Sequence, residues 1–235
     1  MSRRFDPRNY GWSPSVLPSG ILIANRAGTY YNVSDPDGGF YSGVIGLYVD
    51  GACRGVGTSW QRAGIGVHFG PRSRYNESSL LPDDMMPTSQ RAELQAAISA
   101  IETIADHITK VTNINTFVIV SDSQYLVNGI TGYIYGWKRN GWTTCMGGPV
   151  KNQDMWRYLD SLLYDMSEEE GVDITFWKCD RSENEEADAL ACMAVEWNRK
   201  TSFFTDPCGC RDNSGINILC DVSIASATVR AHLFT

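Results

Sequence analysis

The chain is 235 residues long, enough for one good-sized α/β core with extensions and too short for two average domains without crowding. Its 43% hydrophobic and 20% charged content is ordinary for a globular protein, and no apolar run approaches the ~18 residues a membrane span requires. A net charge of −7 argues against nonspecific coating of nucleic acid, although Lys138, Arg139 and Lys151 form a basic island between Trp137 and Gln153.

Residues 1–43 are rich in Gly, Ser, Pro, Asn and Tyr without a sustained period, and read as a loosely structured N-terminal extension. The opening residues include Asp6 and lack a continuous apolar stretch, so they do not resemble a secretory leader. At Val44 the pattern changes. VIGLYVD and, at 63–70, AGIGVHFG predict two adjacent strands, with a third within Ser73–Leu81. Leu94, Ile98, Ile101, Ala105 and Ile108 recur at helical spacing behind Thr88 or Ser89 as the N-cap. TFVIVSDS at 116–123 reads as a buried central strand. A glycine-interrupted helix over Tyr125–Tyr135 follows, then a helix over Asn152–Ser167, a strand over 172–179 and a last helix over Asn184–Lys200.

This order predicts an α/β fold, a five-stranded mixed sheet flanked by helices, occupying residues 44–200. The C-terminal tail, 201–235, carries Cys208, Cys210 and Cys220. The single residue between the first two does not suit a zinc knuckle, so a packing or disordered tail is expected. Seven scattered cysteines favour reduced thiols in an intracellular protein, nuclear or cytoplasmic, with a mitochondrial address left open. A monomer with no membrane partner is expected.

Asp50 and Asp122 close strands, while Glu93 and Asp188 lie in the first turns of helices. Each alone has an ordinary explanation as a turn residue or a complement to a helix dipole. Together, hard oxygen ligands from separate elements can hold two divalent ions ~3.5–4 Å apart. Phosphodiester hydrolysis at such a site needs no protein nucleophile, which suits a chain whose three histidines, His68, His107 and His232, have no triad-like setting.

YVDGAC at 48–53, QRAELQAA at 90–97, SDSQYLVNGI at 121–130 and NEEADALA at 184–191 resemble, in order, the four motifs of type 1 ribonuclease H, with GWKRNGWTT at 136–144 between the last two. The resemblance implies the ribonuclease H-like fold and hydrolysis of the RNA strand of RNA–DNA hybrids, leaving 5′-phosphate and 3′-hydroxyl ends. It assigns two magnesium ions, with manganese as a possible substitute, to Asp50, Glu93, Asp122 and Asp188. It matches a DNA-strand phosphate pocket to Thr88 and Asn152, with Met86 where an arginine is common. It places Tyr133 and Trp137 along the DNA strand, Ser89, Gln90 and the Cys53 backbone at RNA 2′-hydroxyls, and Lys138 and Arg139 in a hybrid-binding loop. Trp142 is expected to fill a helix interface instead.

Departures from the family pattern mark substrate and product handling. A shortened loop before the last motif lacks the histidine of many relatives and carries Arg181, as in eukaryotic, fungal-like variants. Arginine is no proton shuttle near neutral pH, which leaves it a minor electrostatic role. The segment RGVGTSWQ at 54–61 lacks an asparagine that often touches RNA. Among the alternatives, a proofreading exonuclease would carry two acids in the first strand motif, and a catalytically silent hybrid-binding domain would not need all four acids.

Overall fold

The apolar run that begins at Val44 belongs to a strand longer than its sequence signal, and the chain on both sides of it is ordered. The computed structural model describes residues 3–110 and 112–202. In chain order the elements are α1 (Pro18–Ile21), β1 (Leu22–Ala24), β2 (Tyr31–Ser34), β3 (Phe40–Arg54), β4 (Arg62–His68), β5 (Glu77–Leu80) and α2 (Ser89–Thr103). They continue with β6 (Thr116–Ser121), α3 (Gln124–Asn128), α4 (Ile134–Arg139), α5 (Gln153–Glu168), β7 (Asp173–Lys178) and α6 (Glu185–Ser202).

The sheet is built around β3. It pairs parallel with β6 over Val44–Tyr48 and antiparallel with β4 from Tyr48 to Arg54, and β6 pairs parallel with β7. Because β6 fills one edge of β3, β2 and β4 must share the other, β2 against its first half and β4 against its second. β5 adds outside β4, and β1 outside β2. All five expected strands are therefore present, and the N-terminal segment raises the total to seven.

The wide, largely buried run of α2 and the wider helical turn Ile104–Ile108 that continues it reproduce the predicted apolar period. The glycine-interrupted helix becomes α3, a wide turn over Gly129–Tyr133, and α4. On this face Leu47, Val49, Ile98, Ile101, Phe117, Ile119, Trp156, Leu159 and Phe176 form the main core.

The expectation of a loose extension over residues 1–43 is corrected. Phe5, Ile21, Leu22 and Val33 are buried against Val44, Tyr48, Val118, Val120, Trp177, Cys179 and Ala187 on the other face of the sheet. Arg3–Phe5 lies along the outer edge of β7, with Phe5 N–H donating to Phe176 C=O at 3.0 Å and Phe176 N–H to Arg3 C=O at 2.8 Å. The anchors are single apolar residues separated by turns, so they generate no period. Their burial still covers a sheet face that α6 alone does not reach. Residues 203–235, including the expected tail and its cysteines, lie outside the described residues. No described helix is long and apolar enough to cross a membrane.

Candidate active site

Strand alternation sends successive side chains of β3 to opposite faces. Asp50 pairs directly with Gly66 of β4, and a Cβ at Gly66 would lie 2.1 Å from the Ala187 carbonyl oxygen. That face therefore meets the first turn of α6, which carries Asp188. Gly51 points the other way, where a Cβ would lie 2.3 Å from the backbone nitrogen of Glu93. Two glycines thus let β3 and β4 lie flush against the helix starts that supply two acids, one from each face. Asp122 follows the last residue of β6, and Ser123 caps α3 by accepting from Leu126 N–H at 3.0 Å.

The four acids come within electrostatic reach of one another. Asp50 is buried, and burial, reinforced by Asp122 and then by Asp188 and Glu93, raises its carboxyl to about 7 against the opposing hydrogen bond from Gly51 N–H. Glu93 is also raised, first by burial and then by Asp122, while the Ser123 hydroxyl that donates to its Oε2 at 2.5 Å lowers it. Asn184, fully buried, donates through Nδ2 to Asp122 Oδ1 and to Val49 C=O, each at 3.1 Å. Its backbone carbonyl accepts from Asp188 N–H at 3.0 Å, so this residue touches β3, the end of β6 and the start of α6. Arg181 Nη2 lies 2.6 Å from Asp188 Oδ1, and Cys192 Sγ lies 3.8 Å from Asp188 Oδ2.

The donor set suits a hard divalent cation: all-oxygen, anionic and partly desolvated. Each of three acids is turned to its own partner, and among the described residues no three His, Cys, Asp or Glu side chains are gathered into a finished coordination shell. The Arg181 side chain is 77% exposed, so its ion pair with Asp188 is worth at most ~1 kcal/mol and yields readily to a better-placed charge.

The other sequence candidates separate into groups. Thr88 caps α2 by accepting from the Arg91 backbone N–H at 3.2 Å, and Arg91 Nη1 approaches Asn152 Oδ1 at 3.5 Å, so the backbone of Arg91 holds Thr88 and its side chain reaches Asn152. Arg91 also pairs with Asp154 at 2.7 Å. Asn152 adopts a left-handed conformation, φ 54°, ahead of α5 and donates to the Tyr125 hydroxyl at 3.1 Å. Ser89 and Gln90 are exposed at the start of α2, and Met86 is exposed before them. Cys53 is half-buried, its Sγ donating to Pro87 C=O at 3.3 Å.

Tyr133 is 58% exposed, while Trp137 is half-buried against Tyr133, Trp142 and Trp156. Trp142 is buried, matching its expected interface role. Lys138 is held by Asp160 at 2.6 Å, so the basic island carries less uncompensated charge than its sequence suggested; Arg139 and Lys151 are exposed. Sequence reasoning missed Ser123, Asn184 and Arg91 as the groups that hold the acids and the Thr88–Asn152 pair. The only signal was their position inside the matched motifs.

Over residues 43–196 the chain matches the RNase H family. It is 40% identical over 149 residues to human ribonuclease H1, a match covering 62% of this chain and 48% of that protein. It is 37% identical over 149 residues to ribonuclease H of Neisseria gonorrhoeae, covering 62% of this chain and 90% of that one. A solved structure, LC9-RNase H1, overlays with a TM-score of 0.49 at 24% identity, covering 66% of this chain and 72% of that one. The mixed sheet, the helices on its faces and the family match over residues 43–196 define an α/β protein of the ribonuclease H-like class. The chain belongs to the RNase H family, which is generally dependent on a divalent metal. It spans about half the length of the mammalian relatives it matches.

Proposed function

We propose that the chain is an endoribonuclease that hydrolyses the RNA strand of RNA–DNA hybrids, leaving 5′-phosphate and 3′-hydroxyl ends. The observation that carries this reading is the placement of Asp50, a buried carboxyl on β3, beside Asp122, Asp188 and Glu93 from three other segments; burial first, and then these acids, raise it to about 7. Three acids gathered around a buried fourth are unfavourable for stability, and a divalent cation would relieve that cost. The names of the relatives, ribonuclease H1 and ribonuclease H, support the same reaction.

Asp50, Glu93, Asp122 and Asp188 would hold two magnesium ions, with manganese able to substitute. A divalent cation held by these residues would supply charge neutralisation at a phosphate and activation of a water. Ser123 and Asn184 orient Glu93 and Asp122, and Arg181, paired with Asp188 at the edge of the site, would support a phosphate electrostatically.

Thr88 and Asn152 would seat a DNA-strand phosphate, Tyr133 and Trp137 would lie along that strand, and Lys138 and Arg139 would face its charge. Cys53, Ser89 and Gln90 would meet RNA 2′-hydroxyls, the contacts by which RNA is told from DNA. The catalytic unit is residues 44–200 with the N-terminal segment packed on it, acting as a monomer. Four free cysteines among the described residues support an intracellular setting. The test is end-group analysis on a labelled hybrid. Wild type should yield 5′-phosphate products and Asp122→Asn should reduce cutting by at least a hundredfold; full activity in that variant would sink the reading.

A further inference from the structure

The hairpin between β3 and β4 lacks the asparagine expected on the RNA side, yet it is built as a platform. Gln61 organises it: Oε1 accepts from Gly57 N–H at 2.9 Å, and Nε2 donates to Pro87 C=O at 2.5 Å. Cys53 Sγ reaches the same carbonyl. The loop is further closed by Thr58, whose N–H and hydroxyl both donate to Gly55 C=O, at 3.0 and 2.6 Å. The hairpin is thereby docked to Pro87, one residue before Thr88 and just ahead of Ser89 and Gln90.

Trp60 sits on this platform. Its indole lies against Gly55, where a Cβ would fall 2.4 Å from the ring, so only glycine admits the ring there; Gly55 also has φ +67°. The residue remains 51% exposed, an unusual setting for an indole held by a rigid loop. Gly51 and Cys53 face the start of α2, and Gly55 follows the last residue of β3, roughly 17 Å along the chain from Asp50 at ~3.4 Å per residue. Arg54 and Arg62, cross-strand partners at the hairpin base, add positive charge beside it.

We propose that Trp60 is a further substrate-contacting residue, its indole stacking on a nucleotide of the RNA strand a few positions from the cut. This rests on the hybrid-cleaving reading and supplies the grip that the missing asparagine leaves open. An aromatic face on a nucleotide is indifferent to base identity, so the contact strengthens binding without adding sequence preference.

The test compares wild type, Trp60→Ala, Trp60→Phe and Gly55→Ala in steady-state cleavage of a hybrid, with fluorescence anisotropy of the same hybrid under chelator and thermal midpoints alongside. Trp60→Ala should raise KM and Kd roughly tenfold with kcat within about twofold, Trp60→Phe should recover most of this, and Gly55→Ala, which displaces the ring, should resemble Trp60→Ala. Shortening the RNA strand on the hairpin side should abolish the difference between wild type and Trp60→Ala. An unchanged KM and Kd in Trp60→Ala would overturn the proposal, as would kcat and thermal midpoint falling together without recovery in Trp60→Phe. Loss of the difference on shortening the DNA strand instead would overturn the strand assignment. A wild type that binds hybrid but does not cut it would refute the functional reading alone, leaving the Kd of Trp60→Ala to decide this one.

Discussion

Asp50 shows how a residue proposed as a metal ligand can be costly to the fold. Its folded carboxyl is raised to about 7 from an ordinary 3.8, so the folded state holds a proton that the unfolded state releases. Stability of the metal-free protein therefore falls as pH rises between these values, and the full penalty is present above 7. Asp50→Asn removes that charge. It should abolish cutting yet stabilise metal-free protein at pH 8 by roughly 2 kcal/mol, with little change at pH 4, in thermal unfolding. Equal destabilisation at both pH values would contradict the burial argument. Asn184 is the reverse case, since its amide serves Asp122 and the Val49 carbonyl from a fully buried position. Asn184→Ala should cost ~1–3 kcal/mol and lower kcat, read by denaturant unfolding and steady-state kinetics; wild-type values for both would remove it from the site. The acids were legible in the sequence because four of them fall in order within four motifs. Ser123 and Asn184 were not, because hydrogen bonds between elements distant in the chain leave no periodic trace.

At the scale of elements, the close fit of helix starts on the sheet fixes where the acids stand. Gly66→Ala would push a methyl into the Ala187 carbonyl, moving α6 and Asp188 with it. A loss of ~1–3 kcal/mol in stability is expected, with a larger proportional loss of activity than any surface substitution on α6 produces. Strands and helices from Val44 onward were legible within a few residues, because each has an apolar run or a helical period of its own. The N-terminal segment was not. Its strands are three and four residues long and derive their order from packing rather than pattern. Leu22 lies directly on Gly46, where a Cβ would fall 2.7 Å from its methyls, and it is buried. Leu22→Ala should therefore cost ~2–5 kcal/mol in denaturant unfolding, the signature of a core residue; an effect below ~0.5 kcal/mol would restore the picture of a loose extension.

For the whole molecule, an acidic body carries a small basic island, and the structure reduces that island further by engaging Lys138 with Asp160. Hybrid affinity should accordingly depend on salt with a shallow slope, about 2–3 in log K against log salt, measured by anisotropy; a slope near zero would mean that phosphate contacts contribute nothing. Net charge and a three-cation run were visible in sequence, but the ion pair that tempers them joins residues on α4 and α5 and needed the fold to appear. The neighbouring Thr88 and Asn152 likewise meet only through Arg91, across distant parts of the chain. The most direct test of the central claim is to incubate the purified protein with labelled RNA–DNA hybrid, duplex RNA and duplex DNA, each with magnesium and with chelator. The expected result is cutting of the hybrid's RNA strand alone, and only with the cation. Equal cutting of duplex RNA, or cutting that survives the chelator, would contradict it.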